Sequence, residues 1–510
     1  MPIRHTRIAR RAALASCVAL AALSASAFAK DLPPSPDSAA KLQAFFATYL
    51  GKSTAAAITP ADPGFWVAFD LAALSAPLKG TGFTFDPATL KYHVVEQDDG
   101  LWRAEVSSFP NLVAHIHMQD GAQTVDATET IAADGLKGQA LIDPAIGFWR
   151  SLAGEADSLN VEATFPGVSE KFQLGGMKVS GTGQAGADGV VSATMTQTAA
   201  NLGFKFDVDP KAIKAAKEGA DAPATDAPAA DAQPYSVTAT SNQLSADIKL
   251  DGLKTHALLD LWAFLVAHPT RPELAANEAA FKTVLAAALA SPAKIEETAS
   301  LDKIATQIPQ GQVTIDSAKF GASGALSPTG AFGEHFEAKG LTLPADLIPA
   351  PFAGFAPTAF SVGFRASGFD AASASAEMIA DLHLAGDGPA IAPNDAAKIR
   401  AKLVGPDGIV IDIEPSHIVA PLLDISFDGH IVYKGAKPTG KLTIHMRNFD
   451  QTQAALKSLG PDVEKKAAPV LAMAKGLAKT DGDGSLVWIG EIGADGLMKV
   501  NGLPLGKSPL

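Results

Sequence analysis

The chain has 510 residues, a formal net charge of −13 and a single cysteine. This acidic balance argues against a nucleic-acid partner and against electrostatic docking on anionic lipid, because both present negative phosphates. The length exceeds one compact core, so it predicts two domains or one long repetitive body.

The first 29 residues have the three parts of a secretory signal peptide. Four arginines and no acidic residue precede an apolar run at residues 12–23. Ala27-Phe28-Ala29 then forms a small-x-small cleavage site. The run is shorter than a membrane-spanning helix of roughly 20 residues, and no later segment is long and apolar enough to span a bilayer. We therefore expect cleavage after Ala29 and a mature, cysteine-free protein in the periplasm, with no integral membrane span.

Two other export signals overlap this segment. Leu14-Ala-Ser-Cys17 resembles a lipoprotein cleavage box, but only about five apolar residues precede Cys17, fewer than the apolar region of a signal needs. Lipid anchoring at Cys17 is therefore disfavoured. Arg10-Arg11 fits the centre of a twin-arginine signal without its usual polar and aromatic flanks, so the choice between the general and the twin-arginine route stays open.

Residues 30–216 form a predicted β-rich N-terminal half. Apolar residues recur at helical spacing over residues 38–50 and predict a helix there. Residues 65–118 and 165–206 carry strand patterns, and Asp188-Gly189 predicts a hairpin turn within the second stretch.

Residues 217–234 are rich in alanine, proline and aspartate, and they predict a disordered linker or loop because they offer almost nothing to bury. A C-terminal α+β half follows over residues 235–510 and ends in a predicted β-hairpin. Three of its strands, at residues 244–250, 360–366 and 442–446, alternate between apolar and polar side chains. One wet face and one buried face are typical of an antiparallel sheet.

A short step from a strand into a helix recurs and predicts an internally repeated fold. Each step places glycine or asparagine, which tolerate a positive φ, before an apolar and then a charged residue. The steps are Gly135-Leu136-Lys137, Gly252-Leu253-Lys254, Gly368-Phe369-Asp370 and Asn448-Phe449-Asp450. Residues 134–143 and 251–260 also share Asp-Gly-Leu-Lys and Ala-Leu without a gap, which favours a duplication.

These patterns together predict an α+β fold of repeated strand–helix units. We expect a long, mainly antiparallel sheet with amphipathic helices packed on one of its faces. The glycine, asparagine and charged residues of the steps are then bends and helix caps and not parts of a binding site.

Several short motifs indicate structure more strongly than function. Gly181-Thr-Gly-Gln-Ala-Gly186 matches a dinucleotide-binding pattern, but turn and strand residues follow it where a pyrophosphate needs a helix N-terminus. His115 and His117 share one face of a predicted strand, yet no third metal ligand can be identified. Asp481-Gly-Asp-Gly484 lacks the ligand spacing of a calcium loop and predicts a solvated turn.

No catalytic motif stands out in the sequence. Ser38-Ala-Ala-Lys41 and Ser300-Leu-Asp-Lys303 both fit S-x-x-K without convincing partner motifs, and no G-x-S-x-G elbow occurs. Loss of Cys17 with the signal peptide excludes a thiol nucleophile. We therefore assign no catalytic, cofactor-binding or metal-binding residue, and we expect no cofactor.

From about residue 395 onward the order of motifs resembles a known family. The motifs are Asp395-Ala-Ala-Lys-Ile-Arg400, paired strands ending near Gly429 and Tyr433, the run at residues 438–450, and a last hairpin ending in Asn501-Gly-Leu-Pro-Leu505. They resemble an uncharacterised family of bacterial, chiefly alphaproteobacterial, envelope proteins known as a domain of unknown function. The chain is also similar in style to YdgA-like and AsmA-like proteins. The resemblance implies export and a β-rich body with helices, and it carries over no catalytic residue.

The sequence thus favours an exported, non-enzymatic envelope protein. A one-sided sheet that leaves an apolar groove would bind a lipid or another amphipathic ligand, or it would act as a scaffold for an envelope protein partner. The alternative is an exported hydrolase with a carboxylate or serine site that the sequence does not identify.

Overall fold

The computed structural model describes residues 29–51, 55–75, 82–120, 123–213, 233–326, 328–386, 388–405, 407–434 and 437–507. The predicted signal peptide, with Cys17, lies outside these residues except for Ala29. The predicted linker lies outside them except for its last two residues, so both assignments stay predictions.

The chain divides into two compact units, one of residues 1–249 and 254–274 and the other of residues 250–253 and 275–510. The strand pairings resolved among the described residues of these units are antiparallel. With several helices added, the predicted α+β class and the mainly antiparallel sheet are confirmed. No helix of the described residues combines the length and the apolar character needed to cross a membrane.

The first unit is dominated by strands, some of them unusually long. Its helices are α1 (Pro36–Leu50), α2 (Leu71–Ser75) and α3 (Thr255–Ala267), and helix α4 (Arg271–Ala276) crosses into the second unit. Its strands are β1 (Ala56–Pro60), β2 (Phe65–Asp70), β3 (Phe83–Phe85), β4 (Thr89–Glu96), β5 (Trp102–Val106), β6 (Leu112–Asp120), β7 (Gln123–Asp134), β8 (Lys137–Asp143), β9 (Phe148–Phe165), β10 (Val168–Ala185), β11 (Val191–Val208) and most of β12 (Tyr235–Leu253).

The sheet of the first unit branches at β9. Strands β1, β2, β4, β5, β8, β9, β10 and β11 pair in that order. Strand β10 occupies one edge of β9, so the other edge is shared by β8 along its first part and by β7 along its second. Strands β6 and β3 continue outward from β7.

Two apolar clusters stabilise this unit. Leu136, Leu174 and Met177 belong to the larger one, and each keeps at most 3% of its surface exposed. In the smaller cluster Val67 of β2 packs with Leu42 of α1. This contact holds the predicted N-terminal helix against the strands. Burying a side chain of this size contributes roughly 1.5–3 kcal/mol, so these contacts fix the frame of the unit.

The second unit is a long open meander. Strands β13 to β19 each pair with the next strand along the chain, β19 pairs with β21, and β22 and β23 follow. Its helices are α5 (Glu278–Leu289), α6 (Ala371–Ala380), α7 (Pro393–Leu403), α8 (Phe449–Ser458) and α9 (Pro461–Leu477). Its strands are β13 (Lys294–Ile308), β14 (Gly311–Ala325), β15 (Thr329–Lys339), β16 (Ala359–Asp370), β17 (Ile409–Ala420), β18 (Leu423–Lys434), β19 (Lys437–Arg447), β20 (Lys479–Thr480), β21 (Leu486–Ile492), β22 (Leu497–Val500) and β23 (Leu503–Lys507).

All four step residues have the positive φ that the sequence predicts, at 63° for Gly135, 74° for Gly252, 83° for Gly368 and 59° for Asn448. A Cβ atom at Gly368 would also lie only 2.5 Å from the carbonyl oxygen of Gly408. Glycine is therefore required there both for its conformation and for the close approach of the two backbones. Helices α3, α6 and α8 follow the second, third and fourth steps, as predicted.

The first step leads into strand β8, so the helix predicted after it was wrong. Gly138 lies in the short run between Gly135 and Pro144, and glycine inside a helix costs about 1 kcal/mol relative to alanine. Pro144 also disfavours helical backbone at the residue before it. Meanwhile both edges of β8 find partners, in β5 and β9. In the matching segment Thr255 replaces Gly138, and a helix forms.

Candidate functional site

The most distinctive surface of the second unit is one face of strands β13–β16. Side chains directly opposite each other on antiparallel strands share a face, as do side chains two residues apart on one strand. The cross-strand register therefore gathers large apolar side chains from four consecutive strands on a single face. We call six of these residues the open apolar face: Ile295, Phe320, Phe332, Phe336, Val362 and Phe364.

The side chains of the open apolar face are exposed to solvent. Each of its six residues keeps between 37% and 48% of its surface exposed. The rings of Phe332 and Phe364 lie 5.9 Å apart, and those of Phe336 and Phe360 lie 5.4 Å apart. Side chains of this size present roughly 450 Å² together at these exposures, at the level where apolar patches mark binding surfaces.

Two carboxylates interrupt this apolar surface. Glu334 of β15 lies opposite Phe364 on one side and opposite Ala322 on the other, and Ala322 lies opposite Glu297 of β13. Both glutamates therefore lie on the same face as the aromatic rings. The register places no lysine or arginine beside them on this part of the described structure. The face thus combines apolar area with negative charge.

The opposite face of the same strands is polar, and some of its ionisable side chains have partners. His335 Nδ1 lies 3.3 Å from Glu414 Oε2. Lys339 donates to Glu337, and this hydrogen bond lowers the pKa of Glu337 against the opposing effect of burial. Strict alternation therefore separates a polar face from the open apolar face, as the alternating sequence predicts.

The same face continues over strands β19–β21, where it contacts two helices. Trp488 of β21 lies opposite Ile444 of β19, and its indole Nε1 donates to the carbonyl oxygen of Ala474 in α9 at 2.7 Å. Phe449, the first residue of α8, is 6% exposed, and its ring lies 6.2 Å from that of Trp488. Helices α8 and α9 therefore contact the apolar face here.

A polar cleft of about 210 Å³ opens in the polar face of the second unit. Its floor comes from strands β17, β18 and β19, and the turn before β21 forms one wall. The cleft is lined by Pro415, Ser416, Asp424, Ser426, Phe427, Asp428, His445, Arg447, Asp483 and Ser485.

The acid in this cleft whose pKa departs most from its usual range is Asp483. The Ser485 hydroxyl and backbone N–H donate to Asp483 Oδ1 at 2.6 and 3.0 Å, and Arg447 Nη2 lies 3.3 Å from Oδ2. These contacts, those of Ser485 foremost, lower the pKa of Asp483 to about 2. A carboxyl group that is ionised at neutral pH cannot donate a proton, so Asp483 does not fit the general acid of a hydrolase.

The first S-x-x-K match forms an anchor between α1 and β4. Ser38 is 4% exposed, and its hydroxyl donates to one carboxylate oxygen of Glu96, while Lys41 Nζ contacts the other at 2.5 Å. Burial alone would raise the pKa of Glu96, but the hydrogen bonds from Lys41 and Ser38 hold it below its usual value. Both side chains are directed at Glu96, which the sequence motif did not reveal.

The second S-x-x-K match is an exposed ion pair. Lys303 Nζ lies 2.7 Å from Asp316 Oδ1, and this hydrogen bond raises the pKa of Lys303. Ser300 lies on β13 opposite Lys319 of β14. A lysine that is held protonated in this way cannot act as the base that a serine nucleophile needs.

The remaining motifs take the structural roles that the sequence predicts. The glycine-rich run at residues 181–186 lies at the end of the β10–β11 hairpin, where Asp188 and Gly189 have φ values of 57° and 72°. His115 and His117 are exposed on β6 and contact two different carboxylates. The described residues contain no group of three or more side chains arranged to hold a metal ion. The turn at residues 481–484 is exposed, as predicted.

Comparison with known proteins adds no relative. No protein-family model, no curated protein and no solved structure matches this chain. The open apolar face and the polar cleft must therefore be judged by their own geometry and chemistry.

Proposed function

We propose that this chain is an exported, non-enzymatic envelope protein that binds an amphipathic ligand of the lipid class along the open apolar face. The observation that carries the proposal is the group of six large apolar side chains on β13–β16, each more than one third exposed. Exposed apolar area on this scale is unfavourable in water and is stabilised when a ligand covers it.

The shape of the face suits an extended chain. Four strands at roughly 4.8 Å spacing give a strip about 14 Å across, and the aromatic rings lie along it in cross-strand rows. Apolar tails need only such a surface, since dispersion and the hydrophobic effect are not directional. Glu297 and Glu334 offer hydrogen-bond acceptors to the polar end of the ligand, which supports an amphipathic ligand over a purely apolar one.

Partial cover by helices supports the same proposal. We infer that helices pack on this face over β19–β21, where Trp488 contacts α9. The equivalent surface over β13–β16 is apolar apart from Glu297 and Glu334, and it keeps its side chains exposed. A ligand there would complete the cover that the helices provide elsewhere.

Two neighbouring positions on β16 test the proposal. Val362 lies on the open apolar face and Ser361 on the polar face, so Val362→Lys places a charge in the ligand surface and Ser361→Lys places the same charge opposite it. Protein isolated from the periplasm without detergent should carry lipid in native mass spectrometry. We expect Val362→Lys to lose most of this lipid and Ser361→Lys to keep it.

The contrary results are equally distinct. A wild-type protein that carries no lipid and takes none from phospholipid vesicles would contradict ligand binding. Equal lipid content in the two lysine variants would place the ligand elsewhere. A stoichiometric protein bound at the face in place of lipid would favour the scaffold alternative.

A further inference from the structure

The residues that follow the predicted cleavage site are bound to the end of β4. The backbone N–H of Lys30 donates to Asp98 Oδ1 at 3.0 Å, and the backbone N–H of Asp98 donates to the Lys30 carbonyl oxygen at 3.0 Å. The Leu32 N–H donates to the carbonyl oxygen of Glu96 at 2.9 Å. This segment therefore lies antiparallel to the chain at residues 96–98.

Side chains reinforce the attachment. Asp31 and Gln97 form an antiparallel bridge, and Arg103 Nη2 lies 2.7 Å from Asp31 Oδ2. Arg103 is thereby engaged with Asp31 and, through Nε, with Glu105 at 3.0 Å. The carboxylate of Asp98 has the Lys30 nitrogen as its partner.

This nitrogen is the atom that signal-peptide cleavage would change. Hydrolysis of the Ala29–Lys30 peptide bond consumes one water and leaves a carboxylate on Ala29 and an amine on Lys30. The amine takes up a proton at neutral pH, because the α-amino group has an ordinary pKa of about 7.7–8.0. A neutral amide that donates to Asp98 thus becomes a cation beside the same carboxylate.

We infer that the carboxylate of Asp98 binds the processed N-terminus. In the mature protein its partner is the α-ammonium group of Lys30. The ion pair exists only after cleavage between Ala29 and Lys30, so it distinguishes the mature protein from its precursor. An opposite charge at hydrogen-bond distance favours the protonated amine, so the α-amine becomes less nucleophilic at neutral pH.

Chemical labelling of the N-terminus tests this site. The full-length precursor is exported, and the mass of the mature protein is measured first, with Lys30 expected as its first residue. The rate at which a succinimidyl ester acylates the α-amine at pH 7 is then read from the N-terminal peptide. We expect the rate to be about two- to fivefold higher in Asp98→Asn, because an exposed ion pair favours the protonated amine by roughly that factor.

Two controls keep the outcomes apart. Asp99→Asn removes a neighbouring carboxylate that accepts from the Leu101 backbone N–H, and it should leave the acylation rate unchanged. A chain that begins at Ala29, released from a fusion, should be acylated at the faster rate with Asp98 intact. Another first residue would overturn the cleavage site, and equal rates in wild type, Asp98→Asn and the extended chain would overturn the ammonium site.

Discussion

Removal of one aromatic ring from the open apolar face should weaken ligand binding by an amount that follows from its exposed area. Phe336 lies between Phe320 and Val362 across the strands and is 41% exposed. A phenylalanine side chain presents roughly 200 Å², so about 80 Å² is open to a ligand. At about 25 cal/mol per Å² this area is worth about 2 kcal/mol. Phe336→Ala should therefore raise Kd roughly 30-fold.

Equilibrium titration with a fluorescent long-chain amphiphile measures this change. His335→Ala is the matched control, because it shortens the neighbouring side chain on the polar face of the same strand. We expect the control to bind within about twofold of wild type, since surface ion pairs contribute little. Equal losses of affinity in the two variants, or a change in Kd of less than about threefold for Phe336→Ala, would contradict binding at this face.

Further outcomes follow from the same contacts. Exchanging both Glu297 and Glu334 for glutamine should weaken the preference of the face for a cationic over an anionic amphiphile of equal chain length. Competition titrations should show an about three- to tenfold smaller ratio of the two affinities, because exposed charges contribute up to about 1 kcal/mol each. Gly368 and Gly484 have φ values of 83° and 84°, but a Cβ at Gly484 meets nothing within 4 Å. Gly484→Ala should lower the free energy of unfolding, measured in urea, by about 1–2 kcal/mol, and Gly368→Ala should lower it by about 1–3 kcal/mol more. Equal losses would show that the backbones at Gly368 and Gly408 can move apart to admit the methyl group. The pKa of Glu96 is lowered on folding, so its stabilisation is present above its ordinary value of 4.5 and is lost as the pH falls through the folded value. Glu96→Gln should therefore flatten the loss of stability measured between roughly pH 5 and pH 3.

Local patterns predicted those parts of the fold that depend on neighbouring residues. Alternation in β16 and β19 identified both strands and the apolar side of each, because the side-chain period of a strand is fixed by its backbone. The positive φ at Gly252 and Asn448 was predictable for the same reason, since few residue types tolerate it.

Contacts between residues far apart in the sequence determine the parts of the structure that local patterns did not predict. The segments at residues 134–143 and 251–260 share most of their residues, yet one is strand β8 and the other opens helix α3. Strand β8 has partners on both edges, and such tertiary pairing overrides a weak local preference. Ser38 and Lys41 likewise meet Glu96, which lies more than 50 residues further along the chain, so an S-x-x-K spacing alone could not identify their role.

The two faces of β13–β16 bear on whether the open apolar face has a function. If this sheet met only water on both sides, nothing would distinguish the two faces in composition. Instead one face carries a charge pair, Lys339 with Glu337, and the other carries aromatic rings. On the continuation of that apolar face along β19, Met446 is 8% exposed. The open part has the composition of a covered surface, and two carboxylates lie within it. A cover of mixed character accounts for both features, which is why we favour an amphipathic ligand over a further apolar helix.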